Sequence, residues 1–380
     1  MPNLDLNFFY TIAAMVLAAL AGRYAPGFQS RYGQLALSVL VAAAAYREAV
    51  FGYFLWTAIP YGATALVEKL APSKVARLIR WRFAIIAILF VLGVFAAGSF
   101  HLLDGVAVTL QGITWTLPHR DMWLLVRLIT FLWEYGSGRI RLPQLLDYSV
   151  WFMLPFTVTG PVLRFSEFQP QYQPTLPRKS PILSQRTLLL AFIQMLIATG
   201  LSYVADAVTQ TGAQWSKVVL IFGTGPWGFY LWTAGRFHLA EYLASFWGLE
   251  LPQSFNRPFG QPNISEFWSR WNMTVTRVCR DYLFFNRWGL RKANVYLNTM
   301  LVFLAVGLWH SMNLYWASWG LLHGLGFCAF LWYRSNKERY QRAIALVPPA
   351  ARKIASVVVT YVFVCSCWHL ANKVVVLLNR

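Results

Sequence analysis

The chain has 380 residues, of which 57% are hydrophobic and only 12% charged, about half the charged share of an ordinary soluble domain. That balance excludes a soluble globular enzyme and points to a polytopic integral membrane protein. The net charge of +19 would suit a nucleic-acid partner, but the basic residues sit in short loops between apolar runs, so no nucleic acid is expected.

In chain order the apolar runs fall at residues 6–22, 34–46, 49–68, 83–100, 122–135, 146–163, 187–206, 217–235, 295–310, 314–333 and 354–376. They predict an all-α fold of roughly nine to eleven membrane-spanning or re-entrant helices, since several runs fall short of the ~20 residues that a full span requires. The first run has no basic residue before it and Arg23 after it, which reads as a retained first helix with its N-terminus outside. Lys69, Lys74, Arg77, Arg80 and Arg82 form one basic loop; Arg334, Lys337, Arg339, Arg342, Arg352 and Lys353 form another. Both are expected on the cytoplasmic side. The Pro-, Gln- and Arg-rich stretch 169–180 is the nearest thing to a boundary. Residues 1–380 are expected to form a single integral-membrane domain, surrounded by membrane lipids.

The segment 250–292 is the most informative. Leu251-Pro252 ends one helix, and Asn263 with Glu266 three residues on has the form of a capping box. A continuous helix over about 264–285 would put Phe267, Trp271, Val275, Val278 and Tyr282 on one apolar face. Arg270 and Arg277 would share a second face, with Arg277 able to pair with Asp281. Trp268, Asn272, Thr276 and Cys279 would make a third. Such a helix is too charged to cross lipid alone and needs an interfacial or sheltered place.

Two polar residues stand out. Asn272 lies in the run Glu266-Phe267-Trp268-Ser269-Arg270-Trp271-Asn272, and His310 ends the apolar stretch 295–309. A polar side chain at membrane depth is costly and marks a functional site by default. His310 is flanked by Trp309, Trp316 and Trp319 and followed by Ser311 and Asn313, where its helix can break. It reads as a general base, or as a structural hydrogen-bonding residue. Asn272 reads as a donor to a developing oxyanion, or as an interhelical amide. Cys279, Cys328, Cys365 and Cys367 match no zinc or disulfide spacing, so no metal site is expected. His101, His119, His238 and His369 have no motif around them.

Phe267-Trp268-x-Arg270-Trp271-Asn272, Arg280-Asp281-Tyr282-Leu283, Gly307-Leu308-Trp309-His310 and Trp319-Gly320-x-x-His323-Gly324 resemble, in order and spacing, signature blocks of the membrane-bound O-acyltransferase family. Upstream, Gly160-Pro161-Val162-Leu163-Arg164-Phe165 and the block 252–258, with Asn256-Arg257-Pro258-Phe259, look like two further elements. The motifs are concentrated in residues 130–330. The closest likeness is to the bacterial branch that acylates cell-surface polymers, of the alginate O-acetylation and teichoic acid D-alanylation type. Two departures matter. That branch usually has His where this chain has Asn272, and the position after the catalytic-type His is often Gly but here is Ser311.

The resemblance implies a central tunnel with His310 as the essential base and Asn272 as its partner. It places Arg164, Trp268, Arg270, Trp271, Arg280, Trp309 and His323 among substrate-binding residues, although Arg164, Arg270 and Arg280 read equally as interfacial anchors or ion-pair partners and His323 as a helix-packing or tunnel-lining residue. It also implies no tightly bound cofactor, a cytoplasmic acyl-CoA or acyl carrier protein as thioester donor, and a small acyl group such as acetyl. The acceptor would be a hydroxyl of an extracytoplasmic glycan, polymer or carrier, reached directly or through an extracytoplasmic acyl-transfer partner. The expected location is the bacterial inner membrane, with multiple passes. A transporter or channel, or a catalytically inactive scaffold of an acylation complex, accounts for the same hydrophobicity; paired repeats would mark a transporter, and none is evident. Neutralising Arg77, Arg80 and Arg82 together should scramble or invert the topology; unchanged accessibility labelling of the flanking loops would refute the orientation.

Overall fold

In the computed structural model, residues 6–71, 75–99, 107–110, 113–116, 121–157, 160–172, 185–284 and 294–378 are described. His101, His119, Lys74 and most of the 169–180 stretch lie outside them. The apolar runs become helices: α1 (Leu6–Tyr24), α2 (Arg31–Tyr46), α3 (Val50–Leu70) and α4 (Ala76–Ser99) come first. A short antiparallel hairpin follows, β1 (Ala107–Leu110) paired with β2 (Ile113–Thr116). Then come α5 (Met122–Gly136), α6 (Leu145–Phe152), α7 (Phe165–Phe168), α8 (Gln185–Gln210), α9 (Gln214–Val219) and α10 (Gly225–Ser245). The motif-bearing part holds α11 (Ile264–Trp268), α12 (Met273–Val278), α13 (Val295–His310), α14 (Leu314–Ser335), α15 (Lys337–Ala345) and α16 (Pro349–Leu378).

Among the described residues, five helices are long and apolar enough to cross a membrane: Val50–Leu70, Ala76–Ser99, Gln185–Gln210, Leu314–Ser335 and Pro349–Leu377. Large apolar side chains such as Ile86, Leu89, Phe90 and Leu196 stay exposed on them, as a surface facing hydrocarbon requires. Among the described residues the chain is an all-α integral membrane protein apart from one hairpin. Two runs depart from a simple helix. The 146–163 run gives the eight-residue α6 and then a 3-10 turn at Pro155–Thr157, because Pro155 and Pro161 cannot continue a helical hydrogen-bond ladder. The 217–235 run is interrupted by a π turn at Leu220–Thr224 between α9 and α10.

The described chain divides into two compact units, Pro2–Ile193 with Gly235–Pro252, and Gln194–Ala234 with Gln253–Arg380. The first is organised by buried ions. The Arg127 guanidinium, 4% exposed, donates to the Tyr53 hydroxyl and the Phe152 carbonyl at 2.6 Å each and to the Thr157 carbonyl. Fully buried Glu134 accepts from the Ser166 hydroxyl (2.5 Å) and backbone N–H (3.1 Å). The Arg127 bonds satisfy carbonyls, and Glu134 a backbone N–H, that the short helices and turns leave unpaired.

In the second unit, α13 and α14 form a close antiparallel pair. A Cβ on Gly307 would run into the Trp316 carbonyl, and one on Gly320 into the Phe303 carbonyl. Small residues at these positions let the two backbones approach, as membrane helices do when packing supplies the association. Gly320→Ala should therefore lower the detergent melting temperature by the equivalent of about 1–3 kcal/mol, although Ala is the better helix former. Unchanged melting would show that the close approach is not limiting.

Candidate active site

The expected continuous helix over 264–285 is not formed. α11 is capped as the sequence predicts, the Asn263 side chain accepting from Glu266 N–H at 2.9 Å and donating to the Glu266 carboxylate at 2.8 Å. It ends after five residues, however, and the chain breaks at 269–272 before α12 and a π turn at Cys279–Phe284. Asn272 sits in the break with φ 42° and ψ 54°, a left-handed conformation that Asn and His tolerate better than most side chains. The segment before α11 closes the gap. Met273 N–H donates to the Ser254 carbonyl at 2.7 Å, and Asn256 N–H donates to the Arg270 carbonyl at 3.0 Å. The Ser254 and Thr274 hydroxyls, both buried, lie 3.2 Å apart in a hydrogen bond. The 252–258 block thus has a physical task, which is to pair the backbone of a broken helix.

His310 is the last residue of α13. Ser311 turns the chain out of the helix in an extended conformation, and the Asn313 side chain caps α14 by accepting from Trp316 N–H at 3.0 Å. The reversal folds α14 back beside the imidazole. Trp316 stacks on it with ring centroids 4.4 Å apart, Trp309 lies at 4.7 Å, and Trp319 meets it edge-on at 5.5 Å. This is the aromatic wall expected from the sequence around His310.

A cavity of about 460 Å³ joins these pieces. His310, Trp309 and Asn272 line it, together with Trp268, Trp271, Arg280, Arg277 and the apolar residues Val302, Phe303, Val306 and Phe327. The size suits a small organic ligand. Two residues 38 positions apart in sequence therefore share one chamber. Arg280, with its side chain 53% exposed, lies 3.0 Å from Asp281.

The other candidates are distributed differently. Arg270 does not line the cavity, and its carbonyl serves the backbone clamp instead. His323 is absent from the lining and lies behind Trp268, with ring centroids 5.0 Å apart. Arg164, 6% exposed, belongs to the other compact unit, where its backbone N–H is bound by the Glu167 carboxylate at 3.2 Å. Arg277 is a charged lining residue that the sequence did not single out for the site. On an unbroken helix it falls on the face of Arg270, whereas the break changes its phase and turns it to the cavity. Among the described residues, no group of three or more His, Cys, Asp or Glu side chains is placed to hold a metal.

The sequence profile of the membrane-bound O-acyltransferase family matches residues 81–376. The chain belongs to the membrane-bound O-acyltransferase family. Over 240 residues it is 26% identical to the peptidoglycan O-acetyltransferase of Helicobacter pylori, covering 60% of this chain and 44% of that protein. Over 194 residues it is 30% identical to the probable alginate O-acetylase of Pseudomonas putida, covering 48% and 39%. Over 258 residues it is 23% identical to the teichoic acid D-alanyltransferase of Streptococcus thermophilus, covering 60% and 61%. The chain thus spans less than half the length of the first two relatives. In this family member the left-handed break makes a sharp demand on residue 272. Asn272→Gly should leave detergent melting near wild type, whereas Asn272→Val should destabilise by about 1–3 kcal/mol. Equal melting of the two variants would show that the break does not require the left-handed conformation.

Proposed function

We propose that this protein is a multi-pass O-acyltransferase of the bacterial inner membrane. It moves a small acyl group from a cytoplasmic thioester, acyl-CoA or an acyl carrier protein, to a hydroxyl of an extracytoplasmic glycan, polymer or carrier. The observation that carries this reading is the shared cavity of His310 and Asn272, which supplies a base and an amide donor at one place. The names of the relatives, which speak of peptidoglycan, alginate and teichoic acid, support the acceptor class.

In the proposed reaction an imidazole nitrogen of His310 takes the proton from the acceptor hydroxyl as its oxygen attacks the thioester carbonyl carbon. The carbonyl oxygen becomes an oxyanion, and the Asn272 amide donates a hydrogen bond to it. Collapse of the tetrahedral adduct breaks the carbon–sulfur bond, and the imidazolium returns its proton to the departing thiolate. The Trp309, Trp316 and Trp319 rings around His310 keep water from competing with the acceptor. Arg277 and Arg280 give the cavity two guanidiniums, with no carboxylate among its described lining residues, which suits a phosphate-bearing donor.

The test is thioester consumption by the full chain in nanodiscs, with acetyl-CoA and an acylated carrier protein offered separately together with a glycan acceptor. His310→Ala should lower kcat by about 10²–10⁴ while detergent melting stays near wild type; loss of the fold instead would make His310 structural. Asn272→Ala should lower kcat by about 10²–10³ with little change in donor KM. A pure KM effect would assign Asn272 to binding.

A further inference from the structure

Behind the catalytic cavity lies a second, much smaller chamber of about 20 Å³, walled by Trp268, Trp319, His323, Trp368, Phe267 and Cys365 among others. One water needs roughly 10–15 Å³ of such space and two to four polar partners. Three of the wall residues carry buried ring nitrogens that find no hydrogen-bond partner among the described residues: Trp268 Nε1, Trp319 Nε1, and both Nδ1 and Nε2 of His323. The side chains are deeply enclosed, with Trp268 9% exposed, Trp319 4% and His323 1%. They also touch one another, His323 lying 5.0 Å from the Trp268 ring and 4.5 Å from that of Trp319, with Trp268 and Trp319 5.8 Å apart. Buried polar atoms are nearly always paired, so four orphaned nitrogens on three mutually touching side chains need an explanation that packing alone does not give.

We propose that this chamber binds a single ordered water, and that His323 is a positioning residue acting through it. The water accepts from the two indole N–H groups and donates to one imidazole nitrogen, while the other imidazole nitrogen carries the proton. That remaining N–H faces the surrounding aromatic rings, a weaker N–H···π setting. The consequence for chemistry runs through the indoles. Trp268 walls both the small chamber and the catalytic cavity, and Trp319 stands edge-on to His310 at 5.5 Å. A hydrogen-bonded knot on the far side of these rings fixes their orientation. It therefore fixes the surface against which His310 and the substrate are held. This role rests on the acyltransferase reading, whereas the water site does not.

Two measurements decide the matter. A high-resolution cryo-electron microscopy map of the full chain in nanodiscs should show one solvent peak within hydrogen-bonding distance of both indole nitrogens and one imidazole nitrogen. An empty chamber, or protein acceptors on those nitrogens, would overturn the water site. The second measurement is turnover. His323→Gln, which keeps a donor and an acceptor, should retain near wild-type kcat. His323→Leu, of similar bulk but apolar, should lose on the order of tenfold to a hundredfold in kcat with donor KM unchanged. Equal rates for the Gln and Leu variants would overturn the positioning role. If His323→Leu fails to fold, Trp319→Phe removes the N–H while keeping a ring, and a wild-type kcat in that variant would overturn it as well. Absence of turnover in the wild-type protein would count against the acyltransferase reading, while the solvent peak would still decide the water site.

Discussion

Everything about the site depends on breaking a helix inside a largely apolar protein without stranding its backbone. Away from water, each unpaired N–H or carbonyl costs several kcal/mol. At the break over 269–272, Ser269, Arg270 and Trp271 N–H are paired within the turn itself, and another stretch of chain supplies two further partners. The Ser254 carbonyl and the Asn256 N–H do so, through Met273 and Arg270. With those bonds made, Asn272 can occupy a left-handed conformation and line the cavity. Without them α11 and α12 would gain more by joining into one helix, and Asn272 and Arg277 would follow the phase of that helix.

The opposite wall is set by a different device. Gly307 and Gly320 allow α13 and α14 to approach so closely that their backbones limit the contact. The turn at Ser311–Asn313 then places Trp316 over the imidazole of His310 and Trp319 at its edge. Because the interhelical contact is backbone against backbone, the register between the two helices has little freedom. The position of His310 relative to its indole neighbours follows from that register rather than from any direct tether on the imidazole.

Much of the scaffold was legible in the amino-acid sequence, and the reasons are local. Apolar runs such as 49–68 and 314–333 became helices because length and hydropathy are sufficient for a helix in lipid. The Asn263 cap was legible because a cap is a three-residue matter. The break at Asn272 was not, since every residue from 264 to 285 fits a helix by propensity and part of the pairing at the interruption comes from a distant segment. In 146–163 the apolar run is visible, but Pro155 and Pro161 within it stop it from forming one helix. The hairpin at 107–116 has too short an alternation to separate from a loop. For the site, the residues with unusual chemistry in an apolar setting, His310 and Asn272, were identifiable one by one. Their shared chamber was expected from the family resemblance rather than from the residues themselves, and whether His323 packs or lines it stayed open, because both depend on which way rings turn after the helices have packed.

The identity of residue 272 deserves the same physical treatment. The bacterial branch that the chain resembles usually has His there, and both His and Asn accept left-handed backbone more readily than most residues. The exchange is therefore nearly neutral for the fold and falls almost wholly on the chemistry. Histidine can donate, accept and carry a proton, whereas the amide can donate and accept but cannot take up a proton at neutral pH. On the proposed mechanism, Asn272 can stabilise an oxyanion yet cannot share the proton transfers, so His310 must both deprotonate the acceptor and reprotonate the leaving thiolate. A single base working in both directions gains from a rigid surround, because its ring must stay within reach of two different atoms during one turnover. The dense packing of Trp309, Trp316 and Trp319 about His310 supplies such a surround, which makes the amide at 272 consistent with an active enzyme.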